Sequence, residues 1–155
     1  MEHKMMKDMH VRLLIMGAIH FVLMFILMYA MVNSLANIYP NLNQFYMAGI
    51  MTGPMLLLEG ILMGSMYENK KMLTAIMAGS VILFVICFLF IRQQTLIGDK
   101  EFLKSMIPHH AGAILMCEKA QIQDPEIKKL CQSIVSGQQS EIDLMKRKLK
   151  ELDSK

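Results

Sequence analysis

The chain has 155 residues, of which 54% are hydrophobic and 19% charged, with a formal net charge of +3. That balance is too apolar for an average soluble domain. A charge this small, with no basic patch interleaved with aromatics, argues against nucleic acid as a partner. Between Leu13 and Phe90 the only formally charged side chains are Glu59, Glu68, Lys70 and Lys71, whereas the chain from Asp99 onward is rich in Lys, Glu and Asp. Methionine is over-represented at 18 residues, most of them between Met5 and Met77, and tryptophan is absent.

Residues 1–12 form a polar tail carrying Lys4, Lys7 and Arg12. Leu13–Val32 is an apolar run of 20 residues interrupted by His20, and Phe45–Met66 is one of 22 interrupted by Glu59. Met72–Ile91 adds 20 more with no charge. At about 1.5 Å per residue each run is long enough to cross a hydrocarbon layer of roughly 30 Å, so residues 13–92 read as three transmembrane helices. The first run is longer than the core of a cleaved signal, and two further spans follow it. Lys70 and Lys71 in the second loop, against no Lys or Arg in "NSLANIYPNLN", predict the N-terminus inside and the C-terminus outside. In a bacterium that is the cytoplasmic membrane with a periplasmic C-terminal domain.

Met16, His20, Met24 and Met28 recur at i+4 in the first span, as do Met47, Met51, Met55, Glu59 and Met63 in the second. Each series stays near one helix face. An ionisable group in a span is costly and turns to the bundle interior, so His20 and Glu59 are expected to pair, within or between chains. Gly49-x-x-x-Gly53 and Gly60-x-x-x-Gly64 permit close helix approach.

Residues 99–152 read as an antiparallel helical hairpin. "GDKEFLKSMIPHHAGAILMCEKA" has apolar residues at helical spacing, with Pro108 inside the helix and the Lys104 carbonyl freed by it. "QDPEI" is a start signal: Asp124 caps, Pro125 takes the first helical position and Glu126 the first turn. The second helix then runs to about Leu152.

Met106, His109 and His110 share a helix face, and Met116 continues the stripe. Imidazole with thioether suits copper, Cu(I) above all, and other transition metals less well. With the turn near residues 122–124, His109 is expected to face Gly137, and Met106 to face Ser140 and Glu141. Met145 is then a further thioether candidate. Gln138, Gln139 and Glu141, with Asp99, are candidates to hold a ring N–H from behind. Cys117 and Cys131 fall roughly opposite one another, as a disulfide, as thiol ligands or simply buried.

The pattern D-x-x-F-L-x-x-M-I-P-H-H-x-x-A-x-x-M followed by I-x-x-x-Q-x-x-E-I-x-x-M resembles the bacterial domain-of-unknown-function family three hundred and five, the CopM-like group of ferritin-like helical proteins. It is carried here by Asp99, Phe102, Leu103, Met106 to His110, Gly112 to Met116, Ile134, Gln138, Glu141, Ile142 and Met145. The resemblance implies a helical bundle, an extracytoplasmic location and copper binding or tolerance. Members often carry two such hairpins where this chain has one, and many have a tryptophan near the position of Lys148.

Together these readings describe an all-α membrane protein with a metal-binding hairpin, a ferritin-like half-bundle completed by oligomerisation. Its task would be copper capture, storage or delivery to a partner protein. No nucleophile–base set, phosphate loop or paired Glu-x-x-His motif points to an enzyme. The rival readings are an oligomeric channel or transporter lined by His20 and Glu59, and an accessory assembly subunit without metal.

Overall fold

The structure, a computed structural model, describes residues 2–154 and the side chains of residues 9–154. Met1, Lys155 and the side chains of Lys4 and Lys7 therefore lie outside the described residues. The described chain is helical throughout, with no strand. Its five α-helices are α1 (Glu2–Leu27), α2 (Leu42–Leu62), α3 (Lys70–Gln93), α4 (Asp99–Lys119) and α5 (Pro125–Asp153). Short 3₁₀ turns occupy Met28–Met31, Leu35–Asn37 and Gly64–Met66. The chain divides into two compact units, one built from α1 with residues 44–95, the other from residues 28–43 with the chain from Leu96 onward.

In the first unit Met9–Met31, Leu42–Leu62 and Lys70–Gln93 are long and apolar enough to cross a membrane. Apolar residues surround α1, and Ile15, Ile19, Val22 and Ile26 are exposed. On α3 Ile82, Val85, Ile86 and Leu89 are exposed as well. Helices apolar on every side belong in an apolar solvent. The buried core is small, with Leu13, Leu56, Tyr67 and Leu73 joined by Met9, Met55, Ile76 and Met77.

The glycines of α2 are used inside the chain. A Cβ at Gly53 would stand 2.7 Å from the Ser80 carbonyl oxygen and 3.0 Å from Phe84 Cβ. One at Gly49 would meet Cys87 Sγ at 2.5 Å, and one at Gly60 would meet Met77. This spacing seats α3 against α2 and so lends no support to association between chains. The methionine series of α2 does not form one inward stripe either: Met47, Met51 and Met63 are exposed while Met55 packs against the core.

The tail continues the first helix back to Glu2, and His10 in it is buried. His10 Nε2 lies 3.3 Å from the Asn69 carbonyl, and its ring meets Tyr67 edge-on at 5.1 Å. Burial, then the nearby Glu59 carboxylate, raises the Tyr67 phenol above its ordinary value of 10.

In the second unit α4 and α5 lie side by side over Ile107, Ala111, Ile114, Ile142, Met145 and Leu149. Asp124 accepts from the Glu126 and Ile127 amides with Pro125 in the first turn, as the cap sequence requires. Residues 28–43 belong to this unit, with Val32 and Tyr39 packing on its core. They are more than a linker. The Asn41 amide donates to the Lys104 carbonyl at 3.4 Å, the acceptor that Pro108 leaves without its helical N–H. The first amide of α2, on Leu42, donates to Glu101 Oε2 at 2.9 Å. Tyr29 Oη donates to the Tyr39 carbonyl at 2.9 Å.

Candidate functional site

Pro108 and His110 are both buried, while His109, between them, is exposed. Neighbouring side chains on a helix diverge by about 100°, so the two imidazoles cannot share one wall. Their ring centres are 6.1 Å apart. His110 enters the seam between α4 and α5 and His109 leaves it.

Both nitrogens of His110 are engaged. Nδ1 lies 2.9 Å from the Met106 carbonyl oxygen, which only accepts, so Nδ1 carries a proton. Nε2 lies 2.8 Å from Glu141 Oε2. A single proton between Nε2 and the carboxyl completes that pair, and it makes a charge-assisted bond when the ring is protonated. The carboxyl end is open to solvent, with 56% of the Glu141 side chain exposed against 11% for His110. The pair therefore faces water at its Glu141 side.

Met106 precedes His110 by one helical turn, and Met145 follows Glu141 by one turn. Met106 packs against the α4–α5 core and Met145 is part of it. The seam thus holds an imidazole, a carboxylate and two thioethers, a donor set that fits a soft or borderline transition metal in type. Among the described residues no group of three or more His, Cys, Asp or Glu is poised to hold an ion. Any metal there would rely on the thioethers or on donors from elsewhere.

Other candidate residues lie apart from this seam. Met116 is 54% exposed and sits six residues beyond His110, about 9 Å along the helix. Asp99 is exposed at the far end of α4. Gln139 is turned along its own helix and donates to Asp143 at 3.0 Å, while Gln138 is half-buried. Gly137 does not make room opposite the imidazoles, because a Cβ there would meet nothing within 4 Å. The residue opposite His110 is Glu141, which sequence pairing had set against Met106. Gly112 is the closely approached glycine of α4, with the Met31 carbonyl 3.6 Å from its Cβ position. Cys117 and Cys131 form a disulfide between α4 and α5, with Cα atoms 5.2 Å apart.

Within the chain His20 meets Thr52 rather than Glu59. His20 Nδ1 lies 3.2 Å from Thr52 Oγ1, and the Thr52 hydroxyl donates to the Ala48 carbonyl at 2.8 Å. With that proton committed, His20 Nδ1 is the donor. Glu59 lies seven residues past Thr52 on α2, about 10 Å along the helix. Matching the depths of the two ionisable groups overlooked a hydroxyl that serves His20 without a charge. The sequence signal was available, since Thr52 is a polar residue in the same span.

The family described as "Domain of unknown function (DUF305)" matches residues 92–149, which take in all of α4 and most of α5. "Uncharacterized protein L153" of Acanthamoeba polyphaga mimivirus is 38% identical over 113 residues, covering 72% of each chain. The chain belongs to this family. An alignment of that length extends well before residue 92, so the similarity to the viral protein takes in part of the apolar helices too. No solved structure matches the chain.

Proposed function

We propose that this DUF305 protein is a membrane-anchored copper-binding protein that captures, stores or hands on the ion through its α4–α5 hairpin. The observation that carries the reading is the state of His110. The Met106 carbonyl accepts from Nδ1, so Nε2, shared with Glu141, is the ring nitrogen left for an ion that displaces the carboxyl. A neutral ring with its proton on Nδ1 can take a metal on Nε2. Glu141 is the nearest competitor for Nε2, and Met106 and Met145 bring soft sulfur to the same seam. Copper is favoured over zinc because zinc rarely takes thioethers. Exposed His109 is free to reach the solvent side of the ion or a donor on another chain.

The proposed setting is a bacterial cytoplasmic membrane, N-terminus inside, with the hairpin periplasmic. Three crossings put residues 28–43 and the chain after α3 on one face of the bilayer, and those segments form one compact unit. Phe102, Ile127, Leu130 and Leu144 are large apolar side chains left exposed on α4 and α5. They support a homo-oligomer in which two hairpins complete a four-helix bundle.

Purified without a polyhistidine tag, the protein should carry copper by elemental analysis and bind Cu(I) against a chromophoric competitor. Replacing His109 and His110 with alanine should abolish most of that binding while circular dichroism shows unchanged helix content. Unchanged affinity in the double variant sinks the proposal. A membrane-impermeant thiol reagent should label a Ser154→Cys chain in intact cells, and labelling only after lysis would reverse the orientation.

A further inference from the structure

We infer that Cys117 and Cys131 form a second, redox-gated site: oxidised they close the end of the hairpin, and reduced they bind one soft monovalent cation of the Cu(I) class between two thiolates. Cys117 lies in the last turns of α4 and Cys131 in the second turn of α5, with Cα atoms 5.2 Å apart. Sulfurs carried on backbones this close reach one two-coordinate ion without moving either helix. Thiolate is the softest ligand that a protein offers such a cation.

Three features separate this pair from a buried staple. Both cysteines are half-exposed rather than enclosed. They line a solvent-open hollow with Ile122, Lys128, Gln132 and Ser136. Lys128 places a cation on its rim, which favours the thiolate form needed for exchange and for metal binding. The packed core does not depend on the bond. Ile107, Ala111, Ile142, Met145 and Leu149 pack α4 on α5 at positions well removed along both helices from Cys117 and Cys131, so the helices keep that contact when the disulfide opens. Cys87, the remaining cysteine, is buried in α3 and takes no part.

The chemistry balances with an external dithiol as reductant. Its thiolate attacks one sulfur of the pair and its second thiol resolves the mixed disulfide. Two electrons pass to the pair, the dithiol leaves as a disulfide, and Cys117 and Cys131 each gain a proton. Binding of Cu(I) then releases both protons. This site shares no residue with the His110 seam and stands or falls without it.

The test uses the full chain in detergent, with and without prior dithiol treatment and anaerobic removal of the reductant. Thiols alkylated after denaturation should rise from one to three per chain on reduction. Cu(I) titration should then give one more bound equivalent in the reduced chain than in the oxidised one. That extra equivalent should vanish in Cys117→Ser/Cys131→Ser, and also in reduced wild type alkylated while folded, a control that does not depend on the variant folding. Resistance of the pair to dithiol in the folded chain overturns the inference. So does an equal copper count in both redox states, or an extra equivalent that survives blocking of the thiols. Loss of the seam's copper in His109→Ala/His110→Ala should leave the extra equivalent in place.

Discussion

The helices α1–α3 and the pair α4–α5 solve opposite problems. In α1–α3 large aliphatic residues face outward and the close contacts are made by glycine and a few methionines. In α4–α5 Ile107, Ile114 and Ile142 are enclosed almost completely and much of the outside is charged, as in the Lys100–Asp153 ion pair at 3.0 Å. The difference teaches where each region gets its stability. Burying apolar surface helps only when the alternative is water, so the hydrophobic effect assembles α4 and α5. Helices long and apolar enough to cross a membrane, as α1–α3 are, would gain nothing that way in lipid and would associate by close packing and hydrogen bonds.

The strongest way to break this comparison is to hollow both regions. Ile107→Ala removes a fully buried side chain and should cost about 2–5 kcal/mol in denaturant unfolding of the second unit. Ile86→Ala removes an outward-facing one from α3 and should change stability by no more than about 0.5 kcal/mol. Equal losses at the two sites would mean that α3 is buried in protein rather than facing lipid.

Charge makes the next largest contrast. Ile82→Lys places an ammonium at the middle of α3, at a cost of about 2.5–3.5 kcal/mol to insertion, and the membrane-integrated fraction should fall sharply. Leu144→Lys on the exposed face of α5 should be neutral within about 0.5 kcal/mol. Normal integration of the α3 variant would remove that helix from the bilayer.

Glycine sharpens the same division with opposite signs. Gly53→Ala drives a methyl into the Ser80 carbonyl and Phe84 and should destabilise by about 1–3 kcal/mol. Gly137→Ala points into open space in the middle of α5 and should stabilise by about 0.5–1 kcal/mol through helix propensity. Melting curves of the two variants should move in opposite directions, and a destabilised Gly137→Ala would mean that another chain packs there.

The smallest expected effects concern the two engaged histidines. Glu141→Gln replaces a half-exposed carboxylate opposite His110 and should cost about 1 kcal/mol after allowance for solvent screening. Thr52→Val removes the hydroxyl that accepts from His20 and should cost about 0.6 kcal/mol, the usual size of such a bond between membrane helices. Unfolding in detergent measures both. A Thr52→Val loss several times larger would show that His20 has no other way to satisfy its ring.

Much of the helical layout was legible because it rests on local rules. The apolar runs, the Asp124-Pro125-Glu126 start and the absence of strand patterning all act within a few residues of where they are read. α1 extends back to Glu2, ahead of the apolar run, because polar residues at a helix end do not stop a helix. The candidate site was only half legible. Spacing put Met106 and His110 on one face, but the partner of His110 depended on how two helices slide past each other. A displacement of a few residues moved Glu141 opposite His110 and turned Gly137 to solvent.

By itself the sequence determined the number and type of the elements and the solvent that each prefers, because composition and periodicity set both. Tertiary structure alone decided which polar atoms meet. It gave His20 to Thr52, closed Cys117 on Cys131, seated Asn41 on the carbonyl that Pro108 frees, and sent His110 inward while His109 faces out. The reason is one of range. Helix formation is settled by neighbours along the chain, whereas a hydrogen bond tolerates only a few tenths of an ångström and is settled by register between helices.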